Sequence, residues 1–323
     1  MRTSLKWLGI PAILLSAPFM FGPYEPTETT ASFDPAKFGE GVQVYLESVE
    51  AQFDDIRPDS AKRVIWAGQP ETRRPLSIVY FHGFSASSQE IRPVPDNVAA
   101  QLGANLVFTR FRGHGRSNDA MAEGSVQGWM QDAAEALAVG RAVGDEVIVI
   151  STSTGGTIAA LALLQPEMAK GVKGLVFVSP NFGINNRMAP LLTFPAARYW
   201  LPLLAGKRRS FEPRTPEQAL HWTTEYPSEA VFPMAAMVKH SVAQDYSGMT
   251  IPALFYYSND DKVVRPDITA TVEAGWGGKT TRATPILTET DDSFAHVVAG
   301  DIMSPGNTGA ATDAILDWIK GLN

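Results

Sequence analysis

The chain has 323 residues, with 27 basic and 34 acidic side chains and a formal charge of −7, which argues against nucleic acid as a partner because phosphate binding needs a basic footprint. Hydrophobic residues make up 45% and charged residues 19%, enough to bury the core of one large domain, or of one domain with an insertion, and unlike a disordered chain. There is no cysteine, which excludes disulfide scaffolds, Cys-ligated zinc or iron–sulfur sites and thiol catalysis.

At the N-terminus, Arg2 and Lys6 precede an apolar run from Trp7 to Phe21 that Gly9, Pro11 and Pro18 interrupt. This pattern predicts that residues 1–21 form an export signal or an uncleaved membrane anchor, with a buried amphipathic extension as the alternative. The run is slightly short for an untilted span, which needs about 20 apolar residues. Positive charge ahead of it would leave the rest of the chain outside the cytoplasm, periplasmic, extracellular or membrane-anchored, with membrane contact through this segment. Residues 22–35, rich in Pro, Thr and Glu, read as a linker.

Short runs rich in Val, Ile, Phe and Tyr then recur at Arg63–Trp66, Leu76–Phe81, Asn105–Thr109, Glu146–Ile150, Gly174–Val178, Ala253–Tyr257 and Pro285–Thr288. They lack strict alternation, as expected of strands buried on both faces of a mainly parallel sheet. Between them lie helical patterns. The clearest begins after Ser125, a candidate N-cap, places Val126, Trp129, Met130, Ala133 and Leu137 on one face, and stops near Gly144. The alternation predicts an α/β domain, residues 36–181 and 247–323, around a sheet of about seven or eight strands. Residues 182–246 interrupt it with prolines, aromatics, methionines and helical windows at Pro216–Glu225 and Glu229–Gln244, but no convincing strand. An insertion at this point is expected to be a helical lid.

The run Glu146–Ile150 enters Ser151-Thr152-Ser153-Thr154-Gly155-Gly156, followed by a helical face of Ile158, Leu161 and Leu164. Strand, sharp turn of small residues, then helix is the setting of a nucleophile elbow, with Ser153 at its tip and Ser151 where the G-x-S-x-G pattern has its first glycine. Upstream, Val79-Tyr80-Phe81 stops at His82-Gly83-Phe84-Ser85. In acyl-transfer sites of this kind an N–H from that loop and one from the residue after the nucleophile hold the oxyanion, which assigns Phe84 and Thr154 as donors. His82 and His114, in turns of their own, are expected to be structural.

The His82–Ser87 loop, the Phe111-Arg112-Gly113-His114-Gly115-Arg116-Ser117 turn and the Ser153 elbow, with a late Asp and His, resemble the α/β-hydrolase superfamily in its serine esterase, lipase and monoacylglycerol-lipase-like branch, over about residues 63–323. The resemblance implies chain order Ser, acid, His. It places the acid at Asp261 in Ser258-Asn259-Asp260-Asp261-Lys262-Val263-Val264, with Asp260 as the adjacent alternative, and the general base at His296. An earlier acid position holds Asn181, and His221 and His240 are expected to be packing or surface residues. The implied activity is hydrolysis of a carboxylic ester of small to medium acyl chain, from a small-molecule or lipid-like substrate, with no metal or organic cofactor. Acyl transfer, C–C hydrolysis and a non-catalytic binding role are the alternatives, and nothing in the sequence sets an oligomeric state.

Overall fold

The computed structural model describes residues 22–322, so the expectations for residues 1–21 lie outside the described residues. Among the described residues there are nine strands: β1 (Arg63–Ile65), β2 (Arg74–Phe81), β3 (Asn105–Phe108), β4 (Gly144–Thr152), β5 (Val172–Val178), β6 (Arg208–Ser210), β7 (Glu225–Pro227), β8 (Ala253–Tyr256) and β9 (Thr280–Ala283). Seven of them form one sheet in the order β1-β3-β2-β4-β5-β8-β9, and all its pairings are parallel except β1 with β3. Strand order therefore reverses direction about β2 and β4, where two loops leave the carboxyl edge in opposite senses and open a crevice between them.

The apolar runs are continuous because both faces of the sheet are covered. Val79, Phe81, Val147, Val149, Phe177 and Phe255 point into a core shared with the helices Val126–Val143 and Thr154–Leu163. Their neighbours Ile78, Tyr80, Ile148, Ile150, Val178 and Tyr256 point into a second core that includes Val94 and Val98 of helix Val94–Leu102 and Ile315 and Ile319 of helix Thr308–Lys320. Helix Val126–Val143 starts where expected: Ser125 Oγ accepts the Gly128 N–H at 3.1 Å, satisfying one of the free donors of the first turn.

Three expectations are corrected or refined. The last strand is Thr280–Ala283, while Pro285–Thr288 is irregular and its Ile286 is 85% exposed. An edge strand with one ladder to satisfy tolerates a polar sequence such as Thr-Thr-Arg-Ala. The 182–246 insertion contains the antiparallel pair β6–β7 as well as the helices Ala197–Ala205, Pro216–His221 and Val231–Val242. Finally, the stretch after residue 21 is no free spacer. It lies extended against the domain, with Arg198 gripping Glu25 at 2.6 and 2.9 Å and Gln165 bonding to Thr29 O and Ala31 N. Among the described residues no helix is long and apolar enough to cross a membrane.

Candidate active site

Ser153 sits between the end of β4 and helix Thr154–Leu163 with φ +51 and ψ −119, a conformation that a non-glycine residue adopts only when its surroundings impose it. Those surroundings are visible. A side chain at Gly155 would press on the Phe81 carbonyl and lie 2.7 Å from that of His82, so the helix can meet the end of β2 only with glycine there. Ser151 fits in place of the usual glycine because its hydroxyl turns inward and donates to Val176 O at 2.9 Å.

Three elements converge on this serine. His296, in the loop before the closing helix, places Nε2 3.0 Å from Ser153 Oγ and Nδ1 2.8 Å from Asp261 Oδ2. Asp261 follows β8, is 4% exposed, and fixes its second oxygen by accepting the N–H groups of Val263 at 2.8 Å and Val264 at 2.9 Å. Asp260, the adjacent candidate, is exposed and makes no contact with the imidazole. With Asp261 accepting from Nδ1, Nε2 of the neutral ring is the lone-pair atom facing the serine hydroxyl. Burial is the strongest single influence on His296 and favours its neutral form. The charge and hydrogen bond of Asp261, helped by Glu90 and Asp292, outweigh it and raise the pKa above the ordinary 6.5.

Phe84 and Thr154 flank Ser153 in the same cavity, and neither N–H has a partner among the described residues. The peptide that carries the Phe84 N–H is held by His82. Its Nδ1 lies 2.9 Å from Gly83 O, and its Nε2 accepts the Phe111 N–H at 3.2 Å, which makes Nδ1 the protonated nitrogen. Burial above all, then His114 and Arg110, pushes the His82 pKa down to about 3, so the ring stays neutral and keeps that tautomer. His114 is likewise buried, with Nδ1 on Arg112 O. His221 and His240 lie in the insertion and do not reach the cavity. Asn181, at the end of β5, bonds Thr154 Oγ1 at 3.3 Å.

The cavity measures about 640 Å³ and is roofed by the insertion through Phe211, Arg214, Trp222, Tyr226 and Met234. A second cavity of about 630 Å³ beneath the insertion holds none of Ser153, Asp261 or His296, so volume alone does not mark the site. Three charged residues that carry no motif also meet here. Asp292 accepts the N–H groups of Phe294 at 3.0 Å, His296 at 3.1 Å and Val297 at 2.9 Å, Arg214 pairs with it from the insertion, and Glu90 lines the wall beside Gly83. Among the described residues there is no cluster of side chains suited to hold a metal ion.

A family model described as serine aminopeptidase, S33 (Hydrolase_4) matches residues 73–284, and no curated protein matches. Solved structures share the fold at low identity. A metagenome-derived lipolytic enzyme from the study of LipS and LipT is 16% identical with a TM-score of 0.66 over 82% of this chain and 99% of that one. A monoglyceride lipase from Saccharomyces cerevisiae is 11% identical with a TM-score of 0.60 over 81% and 91% of the two chains. A monoacylglycerol lipase from Paleococcus ferrophilus is 13% identical with a TM-score of 0.54 over 81% and 98%. A parallel sheet with a strained serine elbow is thus joined to a family match over well over half the chain, and the protein belongs to the serine aminopeptidase S33 family of α/β-hydrolases.

Proposed function

We propose that the protein is a serine hydrolase that cleaves carboxylic esters of small to medium acyl chain through an acyl-enzyme, with Ser153 as nucleophile, His296 as general base and Asp261 as its orienting acid. The observation that carries this reading is the unbroken hydrogen-bond chain from Ser153 Oγ through His296 to Asp261 at the floor of a mostly apolar cavity. A serine hydroxyl is a weak nucleophile until a bonded imidazole removes its proton. His296 takes that proton as Oγ attacks the acyl carbon, and Asp261 stabilises the imidazolium without being protonated. The Phe84 and Thr154 N–H groups receive the oxyanion. Collapse of the tetrahedral species breaks the ester C–O bond, and the imidazolium returns its proton to the leaving alcohol. Water then repeats the sequence on the acyl-enzyme, releasing the acid and restoring Ser153.

The 182–246 insertion serves as the lid of this site, excluding water and offering Trp222 and Met234 to the acyl chain. The substrates are small-molecule or lipid-like esters, and the reaction requires no metal or organic cofactor. Residues 1–21 carry the domain out of the cytoplasm as an export signal or anchor, a reading supported by Arg2, Lys6 and the apolar run that follows. The test is turnover of p-nitrophenyl acetate, butyrate and octanoate beside aminoacyl p-nitroanilides. Ester cleavage that disappears in Ser153→Ala is the expected result. Cleavage of the anilides alone would reassign the substrate class to amino-terminal amides.

A further inference from the structure

Glu90 lies eight residues past His82 and is 3% exposed, yet among the described residues it makes no ion pair with a lysine or arginine. Its Oε2 accepts the Gly83 N–H at 2.6 Å and the Tyr80 hydroxyl at 3.2 Å, and Tyr80 stands 3.0 Å from Thr152 Oγ1, one residue before Ser153. Its Oε1 has no hydrogen-bond partner among the described residues. A Cβ built on Gly83 would lie 2.6 Å from Oε1 and 3.1 Å from Ser153 Cβ, so carboxyl and nucleophile flank the same point. Gly83 is therefore gripped twice, its N–H by Glu90 and its C=O by His82, and the next N–H along is that of Phe84.

We propose that Glu90 is a positioning residue of the oxyanion loop whose neutral form supports turnover and whose carboxylate form opposes it. The inference rests on the serine-hydrolase reading above and goes beyond it in assigning a second titrating group to the site. The Gly83 N–H and the Tyr80 hydroxyl both meet Oε2, which leaves Oε1 as the oxygen free to carry the proton of the neutral acid. In that form the wall beside the oxyanion is uncharged and can donate. Once ionised, the same wall holds a negative charge on the Gly83 N–H, one peptide from the Phe84 N–H that would receive the developing negative charge. Burial pushes the Glu90 carboxyl up to about 7 against the opposing pull of the Gly83 N–H, His296 and the Tyr80 hydroxyl. The groups that face it are Tyr80 from β2, Ser153 from the elbow and His296 from the opposite loop, with Asp261 and Asp292 behind that histidine. Glu212, Arg214 and Lys262 are the remaining charges on the cavity wall.

Glu90 and His296 titrate as a pair, each in the other's field. When the pair holds one proton, neutral Glu90 with neutral His296 is productive, and the carboxylate with the imidazolium is not. Removing that last proton leaves a competent base beside a charged wall. The rate should therefore rise and then fall with pH.

The experiment is the pH profile of kcat/KM for p-nitrophenyl butyrate on the intact protein and on Glu90→Gln and Glu90→Ala. Infrared difference spectra would follow the neutral carboxyl band of the wild type in parallel. The wild type should give a bell whose descending limb coincides with loss of that band. Glu90→Gln, neutral at every pH and still an acceptor for Gly83, should reach the wild-type maximum within about threefold and lose the descending limb. Glu90→Ala should lose at least about tenfold in kcat at all pH values, because the loop is released, with a smaller change in KM. A wild-type profile with no descending limb, or a Glu90→Gln profile that keeps it, overturns the proposal, and the first of these needs no variant to fold. Absence of any ester turnover and of any fluorophosphonate labelling of Ser153 across the pH range would instead overturn the serine-hydrolase reading, and this inference with it.

Discussion

Arg214, carried by the insertion, is paired with Asp292, the carboxylate that receives the backbone N–H groups of Phe294, His296 and Val297. The same guanidinium lies 4.3 Å over the Phe294 ring. Asp292 thus shapes the turn that delivers the imidazole to Ser153, and the roof of the cavity is fastened to that turn through one side chain. A charge-assisted hydrogen bond of this kind contributes about 1.5–3 kcal/mol.

Arg214→Ala should therefore lower kcat about ten- to a hundredfold while Ser153 still reacts slowly with a fluorophosphonate. Asp292→Asn should act in the same direction. The double variant should lose little more than the worse single one, because both break one link. Steady-state kinetics on the three variants decides this, and fully additive losses would show that the two residues act separately.

Asp261→Asn should reduce kcat by about 10⁴-fold, since the amide offers a donor to Nδ1 and favours the wrong imidazole tautomer. Asp260→Asn, on an exposed residue of the same turn, should stay within about threefold of the wild type. The reverse ranking in a p-nitrophenyl butyrate assay would move the acid to the neighbouring residue.

The ascending limb of the pH profile reports the deprotonation that frees His296 to act as base. The limb belongs to the His296–Glu90 pair, and Asp261 above all holds the histidine above its ordinary value. Asp292 is among the charges that raise it, and Asp292→Asn should move the midpoint to lower pH. A limb that moves upward in that variant would contradict the placement of the negative charges around the ring.

Acyl selectivity should climb by at most about fourfold per added methylene, the equivalent of about 0.8 kcal/mol of burial, and then level off when the 640 Å³ cavity is filled. Met234 lines that cavity and is 8% exposed. Met234→Ala should shift the plateau to longer chains, measured as kcat/KM from acetate to dodecanoate esters. An unchanged profile would mean that the insertion does not contact the acyl chain.

Ser153 and Asp261 stand out in the sequence because each follows a strand whose apolar run is unmistakable, and chain order then points to His296, the single histidine ahead of the closing helix. The turn that carries Phe84 is legible in the same way, at the end of β2. Glu90, Arg214 and Asp292 carried no such signal. Each is a lone charged residue whose meaning depends on what folds against it, and Asp292 differs from Asp291 beside it only in the N–H groups it meets. Among the strands, β6, β7 and β9 carry no sequence signal because they are edge or paired segments of three or four residues with polar side chains. Pro285-Ile286-Leu287 looked like a strand because its side chains are apolar, but Ile286 is spent on solvent. The run of residues after 21 has linker composition, and its docking depends on Arg198 and Gln165, which lie more than 130 positions away in the chain.

Mass spectrometry of the folded protein after treatment with a fluorophosphonate tests whether Ser153 is a nucleophile activated by His296. The expected result is a single adduct on the peptide containing Ser153, lost in Ser153→Ala and slowed at least about a thousandfold in His296→Ala. A folded protein that acquires no adduct, or one that labels at another serine while Ser153 stays free, would contradict it.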